Sequence, residues 1–326
     1  MKKLVVLLIV LVLFSALTLS MKRIGITAIL EHPALEAVRN GIIDKLEEKG
    51  MKKGEDFTEL YQTAQGDMNI AISIAKQFAD SDLDLAVGIS TPSAQALANA
   101  INDIPVVFSA VTDPVSASLV EKLGKNKGNV AGISDMTPVR SQIRLMDMLM
   151  PEADKVGIIY NSGEANSVSI KEAAKRTCDE LDLELIEVIG SNTSEMINAL
   201  NSVVDDLDFI YIGTDNTAAS SIEAISNITR TAGVPIVAGD IDISRGGGVI
   251  GFGFDYYKAG LETGEIVYKV LNGTPVSEIE SRLINASSLI LYVDKDLAQE
   301  LGIELPKNVL EKADIVVENG VEKEQE

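Results

Sequence analysis

The chain has one cysteine, one histidine and no tryptophan among 326 residues. A lone cysteine, Cys178, excludes any disulfide framework within the chain. In the amphipathic stretch from Lys171 to Leu181 it reads as a small core residue. A lone histidine, His32, has no Cys or His companion, so a zinc site or a Ser-His-Asp triad would depend wholly on it. Positive charge is also scarce, at 28 Lys and Arg against 49 Asp and Glu, for a net charge of -21. Neutralising phosphates needs clustered Lys and Arg, so nucleic acid is excluded as a partner. An anionic membrane surface is excluded as the main partner on the same ground. The acid surplus reads as solubility, with docking onto a basic partner as the sharper alternative. No G-x-G-x-x-G follows the first strand, no P-loop lysine is present, and no G-x-S-x-G elbow occurs. The Gly246–Gly248 run reads as a turn. No catalytic residue, cofactor or metal is expected.

What the chain does have begins with an export signal. Lys2-Lys3 form a basic n-region, Leu4 to Leu17 are almost unbroken apolar residues, and Thr18-Leu19-Ser20 is a small-x-small cleavage site before Met21. About 14 apolar residues suit a signal h-region better than a membrane span, although an uncleaved anchor is the alternative. No cysteine follows the run to take a lipid. The expected location is outside the cytoplasmic membrane, in the periplasm or on the membrane's outer face.

The chain then says the same thing twice. Arg23-Ile24-Gly25-Ile26 returns as Lys155-Val156-Gly157-Ile158, and Asp84–Thr91 returns as Asp208–Asp215. Pro105-Val106-Val107 returns as Pro235-Ile236-Val237. The second copy follows by about 130 residues, roughly one domain length. Tandem α/β units imply two lobes facing across a cleft, a preferred place for a small ligand.

Within each copy, short apolar runs alternate with amphipathic stretches. Ile24–Ala28, Phe57–Tyr61, Leu85–Ile89 and Val106–Ala110 read as strands. Ala34–Lys49, Met68–Phe78 and Ser93–Ile101 read as helices between them. The second copy reads as strands at Val156–Tyr160, Leu183–Val188, Phe209–Ile212 and Ile236–Ala238. Its helices are expected at Ser167–Leu181, Ser194–Val204 and Thr217–Ala232, after a linking helix Val139–Met150. Such alternation means βαβ units and parallel sheets. After Asp240 the pattern changes, with an apolar run Val249–Phe254, a helix Tyr257–Leu271, a late strand Leu289–Val293 and a last helix Asp294–Leu301. These extra elements are expected to cross back between the lobes as a hinge, and the tail from Glu318 to fray.

In open parallel sheets, ligands sit at the carboxyl ends of the strands. The first-lobe tips carry Leu30, Glu31 and His32, then Ser90, Thr91 and Ser93, then Ala110, Val111, Thr112 and Asp113. Ser90 or Thr91 can cap the next helix, with Pro92 in its first turn. Free amides at such a helix start suit a carboxylate. The second-lobe tips carry Asn161, Glu164 and Asn166, then Asp215 and Asn216, then Asp240. These loops suit an ammonium, so the pair of lobes suits a zwitterion. The alternative for each Asp and Asn is a cap or turn former. Tyr160, Tyr61 and Phe108 stand near strand ends, where each is either a wall for an aromatic side chain or core.

The stretches Glu31–Leu35, Ser90–Ala96, Ser109–Pro114 and Gly213–Thr217 resemble the ABC-transporter substrate-binding family that includes the tryptophan and tyrosine binders. Gly253-Phe254-Asp255-Tyr256-Tyr257, with Gly260 and Gly264, fits it too. The resemblance spans the chain after the signal. It implies a type I periplasmic-binding-protein fold, with two Rossmann-like α/β lobes of parallel sheets joined by a multi-strand hinge. The expected lobes are 21–135 plus 254–285 and 136–253 plus 286–320, after a signal at 1–20 and before a tail at 321–326. The resemblance also implies an amino acid ligand, tryptophan, phenylalanine or tyrosine among them, and delivery to the transmembrane subunits of an ABC permease by a monomer. From the wider type I amino-acid binders it implies that Ser90, Thr91, Ala110 and Thr112 hold the ligand's carboxylate and amine. Asp240 would help hold the amine, and Asp215 and Asn216 would close from the other lobe. Many family members are lipoproteins, and the missing cysteine departs from that.

Other readings stay open at this point. A ligand-sensing receptor domain would look much the same, and a sugar or nucleoside binder would share the architecture. A transcriptional regulator would need a basic helix-turn-helix where this chain has an apolar signal.

Overall fold

A computed structural model describes residues 21–325, so the expected signal segment lies outside the described residues. The first half of the chain runs through β1 (Lys22–Ala28), β2 (Phe57–Thr63), β3 (Leu85–Ile89), β4 (Val106–Val111), β5 (Gly124–Lys125) and β6 (Val130–Ser134). The second supplies β7 (Lys155–Tyr160), β8 (Glu184–Ile189), β9 (Phe209–Ile212), β10 (Ile236–Ala238) and β11 (Ile250–Phe254). Four more follow: β12 (Glu280–Leu283), β13 (Leu289–Asp294), β14 (Ile315–Glu318) and β15 (Val321–Glu324). They form two sheets, ordered β2-β1-β3-β4-β6-β12-β5 and β15-β14-β13-β11-β10-β9-β7-β8. Pairing is parallel except for β5 with β12, β11 with β13, and β14 with β15.

The repeated sequence becomes repeated topology. β2-β1-β3-β4-β6 in one sheet matches β8-β7-β9-β10-β11 in the other. The central strands are buried along their whole length because helices cover both faces, which is why they read as continuous Ile, Val and Ala runs. The two equivalent aspartates do the same work. Asp84 accepts from the Arg23 amide, and Asp208 from the Lys155 amide, each at 2.8 Å. Each one ties the third strand of its lobe to the start of the first.

Three segments cross between the lobes. Residues 135–138 lead from β6 to the helix Val139–Leu149, whose Val139, Ile143 and Met146 pack in the second-lobe core. Asp255 leads from β11 back to the helix Tyr256–Leu271, whose Ala259, Ile266 and Val267 pack in the first-lobe core. Residues 284–288 lead from β12 to β13. The returning helix lies almost backbone to backbone on Pro33–Glu48. A Cβ on Gly41 would stand 2.3 Å from the Tyr257 carbonyl oxygen, and one on Gly260 2.2 Å from that of Val38. Only glycine permits that approach.

Two expectations change. The helix expected at Thr217–Ala232 is two, Asn216–Ser220 and Ile222–Ala232, broken where the Ser221 hydroxyl bonds that of Thr193 at 2.8 Å. The tail expected to fray from Glu318 instead turns at Asn319-Gly320, and β15 pairs with β14. The Arg245 guanidinium holds Glu322 with two N–H groups, at 2.7 and 3.1 Å. Cys178 is fully buried in the second-lobe core, as a small core residue would be.

Candidate functional site

The carboxyl ends of the two sheets face each other. Thr112, at the tip after β4, meets Thr214, at the tip after β9, with hydroxyls 2.9 Å apart. Beside this contact lies a narrow pocket with a cavity volume of about 20 Å³. His32, Leu35, Ser90, Thr91, Ala110 and Thr112 line it from the first lobe. Asn166, Thr214, Asp215, Asn216, Ala219 and Asp240 line it from the second, and Asp135 and Tyr256 from the crossings.

The first-lobe wall is built under strain. A Cβ on Gly88 would lie 2.6 Å from the Ala94 Cα, so the helix Thr91–Ala100 starts hard against its own strand. The turn that allows this puts Ser90 at φ 81° and ψ 159°. Such a conformation costs a serine roughly 1–3 kcal/mol. Next to it, the pairing of β4 with β6 slips between Phe108 and Val111, and Ala110 takes φ 52°. A bulge re-aims the residues at a strand end. The hydroxyls of Ser90, Thr91 and Ser93 are buried with no partner. They stand at a helix N-terminus, where the first amides also lack intrahelical acceptors.

The second-lobe wall is acidic. Three aspartates line the pocket and no Lys or Arg does. Asp240 is 4% exposed. Its Oδ1 caps the helix Ile241–Arg245, accepting from the Asp242 amide at 2.7 Å and the Ile243 amide at 3.2 Å. Burial, reinforced by Asp242, lifts its pKa to about 7. Asp215 accepts from the Asn161 amide and the Ala218 amide, both at 2.7 Å, and from the Ser167 hydroxyl at 2.6 Å. Its carboxyl is therefore largely committed within the lobe, and burial raises its pKa too. Glu164 lies beneath, accepting from the Asn166 amide at 3.1 Å and from that of Asn216. Burial and the charge of Asp215 push Glu164 up to about 7. His32 goes the other way. Burial lowers its pKa to about 4, which keeps the imidazole neutral, and its Nε2 is buried without a partner.

Of the residues singled out from sequence, His32, Ser90, Thr91, Ala110, Thr112, Asn166, Asp215, Asn216 and Asp240 meet in this pocket. Seven do not line it. Leu30 packs on the first-lobe core, and Val111 is buried beside Phe108. Ser93 is buried in the first turn of the helix Thr91–Ala100 without lining the pocket. Asp113 caps a turn through the Val115 and Ser116 amides. Glu31 lines the adjoining groove, with His32 and Asp240. Asn161 and Glu164 support the pocket from behind through Thr217 and Asn216. None of the three aromatic candidates forms a wall. Phe108 is core, Tyr160 bonds Glu187, and Tyr61 lies under Arg39 with its ring centre 4.1 Å from the guanidinium carbon. Sequence reasoning missed Leu35, Asp135, Thr214, Ala219 and Tyr256. Leu35, Thr214 and Tyr256 stand within the stretches that carry the family resemblance, and Ala219 lies one helical turn past Asp215 and Asn216, whereas Asp135 carries no local signal of a site.

The chain and its fold have close counterparts. A family model described as "ABC transporter substrate binding protein" matches residues 23–317. A tyrosine-binding protein of Clostridioides difficile is 38% identical over 273 residues, which is 84% of this chain and 79% of that protein. A crystal structure of a conserved domain protein from Vibrio cholerae superposes with a TM-score of 0.89 at 36% identity, covering 91% of this chain and all of that one. The structure of an ABC domain from Streptococcus pneumoniae in complex with L-Trp gives a TM-score of 0.87 at 31% identity, again covering 91% and 100%. The architecture is that of type I periplasmic binding proteins. Among the described residues, no helix is long and apolar enough to cross a membrane.

Proposed function

The chain belongs to the ABC transporter substrate-binding family, a family of solute-binding proteins and not of enzymes, and from that premise we propose that it binds one amino acid as a zwitterion between its lobes. The observation that carries this reading is the polarity split across the pocket. Unpartnered hydroxyls and a helix start lie on one side, and carboxyls without a basic neighbour lie on the other. The ligand's carboxylate takes the Ser90–Ser93 turn, where amides and hydroxyls can donate. Its ammonium takes Asp240, whose burial without a cation is otherwise costly. The Thr112–Thr214 contact marks a shut, ligand-free cleft, since about 20 Å³ has room for roughly one water, and an amino acid enters only when the lobes part. Relatives that bind tyrosine and L-Trp favour an aromatic amino acid. The protein works outside the cytoplasmic membrane and hands its ligand to the transmembrane subunits of an ABC permease.

A thermal-shift screen of the twenty amino acids, nucleosides and sugars tests this. A ligand at 100 times its Kd should stabilise the fold by about 2.7 kcal/mol. Tyrosine or tryptophan is expected to give the largest rise in Tm. A rise with sugars or nucleosides alone would overturn the reading.

A further inference from the structure

Asp135 sits on the first crossing and Tyr256 opens the helix that follows the second. Their side chains meet where both crossings border the pocket. The Tyr256 hydroxyl donates to Asp135 Oδ2 at 2.8 Å. The other carboxyl oxygen, Oδ1, is buried and has no partner, in a residue that is 2% exposed and lines the pocket. A carboxylate taken out of water with one oxygen unbonded costs free energy unless something donates to it. No Lys or Arg lines the pocket to do so.

A second acceptor is in the same position. Asn166 is 3% exposed, and its Oδ1 is buried without a partner. Its amide nitrogen is already committed, donating to Thr214 O at 2.8 Å and Glu164 Oε2 at 3.1 Å. The amide therefore cannot turn round without losing both bonds. What it shows the pocket is an acceptor. Asp135 Oδ1, Asn166 Oδ1 and the Asp240 carboxyl together make three acceptors around one small space. A primary ammonium carries three N–H donors and no acceptor.

We propose that Asp135 is a ligand-binding residue that accepts one N–H of the ammonium beside Asn166 and Asp240, so that a crossing between the lobes is itself part of the site. This rests on the zwitterion reading above and assigns it two contacts, one on the hinge. Because Asp135 is tied to Tyr256, an ammonium bound there braces two crossings at once. The contact also makes the site select for an amine rather than for carboxylates in general.

Calorimetry with L-tyrosine and its desamino analogue, 3-(4-hydroxyphenyl)propionate, tests the assignment. Asp135→Asn should weaken L-tyrosine by about 30-fold or more and leave the desamino analogue within about three-fold, since the lost partner is charged. Asn166→Ala should show the same selective loss, and it serves if Asp135→Asn fails to fold. Tyr256→Phe should weaken L-tyrosine less than Asp135→Asn does. Equal losses for both ligands in both pocket variants would mean a structural role only and overturn the proposal. So would unchanged L-tyrosine affinity in them. If the wild-type protein binds none of the twenty amino acids, the zwitterion reading itself fails, and this assignment falls with it.

Discussion

Thr112 and Thr214, 102 residues apart and on opposite lobes, share a hydroxyl–hydroxyl hydrogen bond of 2.9 Å. Thr112 is further held by its own carbonyl, which accepts from the Ser134 hydroxyl at 2.8 Å. The contact thus joins the tip after β4 in one sheet to the tip after β9 in the other.

Replacing Thr214 by Val keeps the shape and removes the bond. A single hydrogen bond is worth about 1 kcal/mol net, so the closed fraction should fall by about five-fold relative to the open one. Small-angle scattering of the ligand-free variant is expected to show a larger radius of gyration than wild type. Identical scattering curves would show that this bond does not hold the lobes together.

Asp240 separates stability from binding. A carboxyl whose folded pKa is raised to about 7 keeps its proton longer in the folded state than in the unfolded chain. Its contribution therefore falls as pH climbs from about 4 to about 7, and levels off above. Asn can still cap the helix Ile241–Arg245. The Tm of Asp240→Asn should match wild type near pH 4 and exceed it by pH 8, while tyrosine affinity at pH 8 drops by about 30-fold or more. A variant less stable than wild type at pH 8 would contradict the burial cost. His32 works in the opposite direction, since its lowered pKa favours folding as pH rises through about 4 to 6.5. The variant-minus-wild-type difference removes that contribution.

Ser90 is the cleanest test of strain. Glycine takes φ 81° without penalty, and the substitution also removes a buried hydroxyl with no partner. Ser90→Gly should raise the ligand-free Tm, by about 1 kcal/mol of stability once the extra freedom of the unfolded chain is set against the relief. Ligand affinity should fall, because the hydroxyl is lost from the carboxylate side. Urea unfolding and calorimetry read the two effects separately.

Gly41→Ala should be among the most damaging single-methyl changes in the protein. The added carbon meets the Tyr257 carbonyl at 2.3 Å, and backbone cannot swing aside as a side chain can. The helices must part, at a cost of about 1–3 kcal/mol. Urea unfolding midpoints measure it, and a midpoint equal to wild type would mean that the two helices do not approach as closely as 2.3 Å implies.

The parts of this fold that were plain from sequence are those in which local pattern and burial coincide. β3 and β4 are apolar throughout because helices cover both their faces, and the duplicated segments announced two similar sheets. That tip residues such as Ser90, Asp215 and Asp240 line one pocket was legible because strand ends locate them. β6 and β12 went unseen because short strands with Gly, Ser and Arg carry little periodicity. Asp135 and Tyr256 went unseen for a different reason. Asp135 follows β6 of one sheet before the chain enters the other lobe, Tyr256 opens the helix that returns from β11, and only the folded crossings bring them together. Leu30 and Val111 pack against core and do not line the pocket, because neighbouring residues at a strand tip point alternately toward the cleft and into the core.

The pairing of Pro33–Glu48 with Tyr256–Leu271 also sets an order of assembly. The amino-terminal lobe waits for a helix encoded over two hundred positions downstream, after β7 to β11 of the other lobe. Until then the face of Pro33–Glu48 around Gly41 stays uncovered. The first sheet therefore gains the last of its covering helices only once the chain extends through Leu271.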